Sequence, residues 1–142
     1  MIATKDMDVG QMLPPVQKDV TFENIRLFSM WSNRNIHTDW EIAIKGGLPA
    51  PIAQGLMSHA YLGEMLTRFF GKNWLQGGKI DVKFIRYTLP GDVVTTGGIV
   101  KEKIKAGSAV RFNCDIWCES LSGEKTVVGT ASCLVNELSV KP

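Results

Sequence analysis

A histidine is the side chain best suited to moving protons near neutral pH, because its ordinary titration lies there, and this chain has two, His37 and His59. His37 stands in the polar stretch Ser32-Asn33-Arg34-Asn35-Ile36-His37-Thr38-Asp39. Alone, a histidine in such a place serves equally well as a loop residue that caps or solvates a helix start. His59 falls on the side of a predicted helix shared by Leu62, Leu66 and Phe70, which reads as a core or interface position. A second chemical opportunity is Gly55, in the first turn of that helix. Backbone N–H groups there lack intrahelical acceptors, and the helix dipole favours negative charge. Glycine also carries no side chain to hold a bound group away, and the N–H of Leu56 follows. Lys79, Lys83 and Arg86 form a cationic cluster able to hold phosphates, although strand lysines are mostly solvated. Glu64 and Arg68 are spaced i,i+4 with the acid first, which makes a helix ion pair.

The elements that must position these residues are well punctuated. Pro14 and Pro15 exclude a helix from the first twenty residues, a lead-in to a domain spanning 21–142. The spacing predicts a short helix over 21–31 with Thr21 as N-cap. Thr38-Asp39-Trp40-Glu41 is a T-x-x-E capping box, predicting a helix over 39–45 that stops at Gly46-Gly47. A longer helix begins near Ala53 or Gln54, runs to Phe70 and stops at Gly71. It is apolar around most of its girth, so it is buried on most sides. The period then changes to two, predicting strands over 79–89, 93–103, 109–119 and 126–138. The short polar breaks between them, Pro90-Gly91-Asp92 among them, read as hairpin connections of an antiparallel sheet. Gly97-Gly98 inside the second strand marks a bulge or a close backbone approach.

Composition narrows the function classes. The chain has 142 residues, 44% hydrophobic and 21% charged, which is one globular domain of α+β class. A net charge of +2, spread evenly, excludes the basic stripe of a nucleic-acid binder. No apolar run approaches the roughly 20 residues that span a bilayer, and the first residues lack a signal-peptide layout. The chain therefore reads as cytoplasmic, with neither nucleic acid nor membrane as partner. Of the three cysteines, Cys114, Cys118 and Cys133, the first two alternate inward on a strand and read as small core hydrophobes. Their C-x3-C spacing, with both histidines far upstream, does not match a zinc site. Nor is there a dinucleotide fingerprint, so no metal or redox cofactor is expected.

Three stretches resemble the MaoC-like acyl dehydratases and (R)-specific enoyl-CoA hydratases. They are Asn35-Ile36-His37-Thr38-Asp39, then Gly47-Leu48-Pro49-Ala50-Pro51-Ile52-Ala53-Gln54-Gly55-Leu56-Met57, then Val82-Lys83-Phe84-Ile85-Arg86 leading into Leu89-Pro90-Gly91-Asp92. The resemblance implies a single hotdog domain, a sheet wrapped around a long helix, working as a homodimer on acyl thioesters of coenzyme A or a phosphopantetheine carrier. It implies reversible hydration of a 2-enoyl thioester, with His37 as base and acid and Gly55 as oxyanion donor beside Leu56. Asn33 or Asn35 would orient the water or the imidazole. Met30 and Trp31 would line the acyl tunnel, and Lys83 and Arg86 would meet the phosphates. The family's usual motif places an Asp five residues before the His and an Asn three before; here Ser32 and Arg34 stand there. Two rival readings follow: a hotdog thioesterase using Glu64, and a catalytically silent hotdog subunit of a heteromer. Edge pairing of two copies would bring His37 of one chain towards Gly55 of the other.

Overall fold

The computed structural model describes residues 2–136. Its elements run β1 (Gln17–Asp19), α1 (Phe22–Phe28), α2 (Trp40–Lys45), α3 (Gly55–Phe70), α4 (Lys72–Gly77), β2 (Lys79–Phe84), β3 (Val93–Ala106), β4 (Ala109–Glu119) and β5 (Lys125–Val135). The strands form one antiparallel sheet in the order β1-β3-β4-β5-β2. The predicted end of the last strand, Glu137 and Leu138, lies outside the described residues.

Helix α3 lies across this sheet because its apolar residues exceed what a surface helix needs. Met57, Leu62, Met65, Leu66, Phe69 and Phe70 are buried and join Val94, Val100, Phe112, Cys114, Ile116, Cys118, Val127 and Cys133 in one core. Each fully buried Leu or Phe contributes roughly 1.5–3 kcal/mol over leaving it in water. All three cysteines are buried and free, Cys114 and Cys118 as their alternation predicts. The close approach at Gly97 is real: a Cβ there would collide with the Trp117 ring. Leu56 and Ala60 are exposed, so α3 keeps one open side near its start.

Several expectations are corrected. Helix α1 ends at Phe28, short of Trp31, because Met30 and Trp31 take φ of 54° and 60° and turn the chain left-handed. Arg34 does the same at 68°, and such backbone costs about 1–2 kcal/mol for each residue with a side chain. The cap of α2 is Asp39, whose carboxylate accepts from the Ile42 N–H at 3.1 Å. Thr38 lies one residue further out, with its hydroxyl oxygen buried and unpartnered. Pro90-Gly91-Asp92 is not a hairpin: β2 ends at Phe84 and pairs with β5, while β3 sits at the opposite side of the sheet. The turn clips instead onto the chain before α1, through Gly91 N–H to Val20 O (2.7 Å) and Val20 N–H to Asp92 O (2.8 Å). The first twenty residues add strand β1 on β3, and Ala3, Leu13, Val16 and Val20 enter the common core.

Candidate active site

The segment just before α3 is held from two sides. Ile52 N–H donates to Ile36 O at 3.1 Å, and Ala53 N–H donates to Thr88 O at 2.8 Å. The first bond ties the loop carrying His37 to the helix start, and the second ties the chain beyond β2 to it. Asn35 Oδ1 accepts from the His37 N–H at 2.8 Å, an Asx turn that sets the backbone of the loop. Asn35 O accepts from the Thr38 and Asp39 N–H groups as well.

A cavity of about 310 Å³ opens where these segments meet, lined by His37, Gln54, Gly55, Ser58, Arg86 and Thr88 among others. The His37 Nδ1 lies 2.8 Å from Ile52 O. A carbonyl only accepts, so Nδ1 carries the hydrogen and the neutral ring keeps its lone pair on Nε2. Gly55 is the first residue of α3, so its N–H has no intrahelical acceptor. Its missing side chain has a neighbour: a Cβ there would lie 3.0 Å from the Phe84 ring. The space that glycine frees is therefore already covered by Phe84. Gln54 precedes it without capping the helix, and instead donates its amide to Ser29 Oγ and to Ile25 O.

His37 and Gly55 of the same chain line this one cavity, so the two meet without a second copy. Asn33 is exposed, and Asn35 contacts the backbone of His37 rather than its ring. Leu56 is exposed beside Gly55. Met30 and Trp31 are exposed and are not among the lining residues, and Trp31 instead lies under the Arg26 guanidinium, 4.9 Å from the ring centroid. The cationic cluster is divided. Arg86 lines the cavity and pairs with Glu124 at 3.2 Å, whereas Lys83 is exposed and Lys79 lines a separate groove on the outer face of the sheet. His59 is half-buried on α3 and is not among the lining residues.

Glu64 is engaged elsewhere. It pairs with Lys18 at 2.7 Å and Arg68 at 2.5 Å, and the hydrogen bond from Lys18 holds its carboxyl below the usual range. Among the described residues, no group of three His, Cys, Asp or Glu is placed to hold a metal ion. No helix there is long and apolar enough to cross a membrane.

Ser58, Thr88 and Phe84 are among the lining groups that sequence reading missed. Ser58 was open to it, being one turn after Gly55 on the same helix face. Thr88 and Phe84 were not, because only the fold carries the end of β2 back to the helix start.

The model of the MaoC like domain matches residues 8–116, and the chain belongs to that family. Solved structures agree in fold. A MaoC-like dehydratase from Rhodospirillum rubrum superposes with a TM-score of 0.79 at 19% identity, covering 96% of this chain and 97% of its own. An unliganded R-hydratase from Pseudomonas aeruginosa gives 0.73 at 22%, covering 96% and 91%. An (R)-hydratase from A. caviae involved in PHA biosynthesis gives 0.75 at 17%, covering 94% and 99%. The fold is thus the hotdog fold of these proteins. No curated protein matches the chain by sequence.

Proposed function

We propose that the protein reversibly adds water to a 2-enoyl thioester, carried on coenzyme A or a phosphopantetheine carrier, giving the 3-hydroxyacyl thioester. The observation that carries this reading is the pairing, in one cavity, of His37 locked through Nδ1 with the free N–H at the start of α3. His37 Nε2 takes a proton from water as the water oxygen bonds to C3, and the C2–C3 π electrons move onto the thioester oxygen. The Gly55 N–H, with that of Leu56, stabilises the enolate charge. The imidazolium then returns its proton to C2, and the thioester carbonyl re-forms. Every atom comes from water and the enoyl thioester, so no further cofactor is needed. Arg86 at the cavity, with Lys83 beyond it, would meet the phosphates.

A homodimer is part of the proposal. Among the described residues strand β2 is one of the two ends of the sheet, and Phe84, Ile85 and Tyr87 are each 51% exposed along and beyond it. Such an edge is normally covered. We place the protein in the cytoplasm, where its three free thiols stay reduced.

The test is to incubate the purified protein with crotonyl-CoA and longer enoyl-CoAs. Loss of the enoyl absorbance without release of thiol is the expected result. Release of thiol would replace the hydratase by a thioesterase.

A further inference from the structure

A water molecule that adds to a double bond must aim one lone pair at C3 while giving one hydrogen to the base. Its second hydrogen and second lone pair need partners too, or the orientation is lost. Among the described residues no Asp or Glu lines the cavity, so the partner sought among them is not a carboxylate. Ser58 and Thr88 do line it, as residues only 5% and 6% exposed. Among the described residues neither hydroxyl has a hydrogen-bond partner. They differ from Thr38 Oγ1 and Gln54 Oε1, which are sealed off from solvent as well as unpartnered. The Ser58 and Thr88 hydroxyls therefore keep contact with the cavity. A buried hydroxyl left unpaired costs roughly 1–3 kcal/mol, which a molecule in the cavity relieves.

Their placement suits that molecule. Cα–Cβ bonds on a helix tilt towards its N-terminus, so the Ser58 side chain leans back over the turn that starts at Gly55. Thr88 is fixed from the other side by the bond from Ala53 N–H to its carbonyl. The loop before α2 thus brings His37 to the cavity, and helix α3 and the chain beyond β2 bring the buried hydroxyl residues Ser58 and Thr88, while Arg86 and Tyr87 line it as exposed residues.

Resting on the hydratase reading, we propose that Ser58 and Thr88 hold the reacting water for His37. One hydroxyl accepts the water's second hydrogen and the other donates to its second lone pair. In the reverse direction the same pair holds the 3-hydroxyl that leaves as water. No proton passes to either residue, so the proton balance stays with His37.

The experiment compares Ser58→Ala, Thr88→Val and Thr88→Ser with the wild type on crotonyl-CoA, with a thermal melt of each. Ser58→Ala and Thr88→Val should each lower kcat roughly 10²-fold, with KM within a few-fold and Tm little changed. Thr88→Ser should stay within a few-fold of wild type. Undiminished kcat in either hydroxyl-free variant overturns the shared role, and so does Thr88→Ser as poor as Thr88→Val. A wild type that hydrates no enoyl-CoA overturns the hydratase reading and this one together. Active wild type with unimpaired variants overturns this one alone.

Discussion

The Nδ1–H of His37 donates to the carbonyl oxygen of Ile52 at 2.8 Å, three residues before Gly55. The imidazole is therefore fastened to the segment that begins α3. Base and helix N-terminus keep their relative position because one hydrogen bond joins them directly. The backbone bond from Ile52 N–H to Ile36 O doubles the link.

Asn35 supports that link from behind, through the His37 N–H. Asn35→Ala should lower stability by about 1 kcal/mol, the net worth of such a bond, and lower kcat while leaving KM near wild type. Chemical denaturation and steady-state kinetics check both. A raised KM with unchanged kcat would instead mean that Asn35 touches substrate.

Gly55→Ala sets a new methyl 3.0 Å from the Phe84 ring, which must yield by a few tenths of an ångström. Overpacking of this kind costs about 1–3 kcal/mol. Thermal melts should show Gly55→Ala destabilised, and Gly55→Ala with Phe84→Ala less destabilised than the two single effects summed. Strict additivity would show that the ring is not what the methyl meets.

The thiols should be silent. Burial pushes Cys114 and Cys118 up to about 12 and Cys133 to about 11, from an ordinary 9.0. A thiol-detecting reagent at pH 8 should label none of the three in the native protein and all three after denaturation. Since the unfolded chain ionises first, the stability these thiols confer is complete below pH 9 and is lost between there and about 12. Burial raises Tyr61 as well, which acts in the same direction. Denaturation midpoints should fall across that window, and a flat profile would contradict the burial.

Sedimentation should give a dimer of two 15.7 kDa chains. Ile85→Asp, placing a charge beside the free edge of β2, should shift it towards monomer without unfolding it. A monomeric wild type would contradict the proposed pairing.

Local features were legible in the sequence, and long-range pairing was not. Helix α3 announced itself by its long apolar run and by Gly71, and the inward Cys114 and Cys118 by their period of two. Thr21 was readable as a cap because capping is a local bond, here from the Asn24 N–H at 3.0 Å. The pairing of β2 with β5 was hidden, because a turn sequence such as Pro90-Gly91-Asp92 does not say which strand lies beside it. Strand β1 was hidden by its length of three residues. The early end of α1 depends on left-handed backbone at Met30 and Trp31, which neither residue type announces. In the site, His37 and Gly55 were readable from type and context. Their meeting within one chain was not, because it rests on contacts between distant segments.

The central claim is that His37 carries the proton transfers of hydration. His37→Ala, assayed on crotonyl-CoA beside a thermal melt, tests it most directly. The variant should remain folded and lose roughly 10²–10⁴ in kcat. A folded His37→Ala protein that hydrates crotonyl-CoA at the wild-type rate would contradict the account.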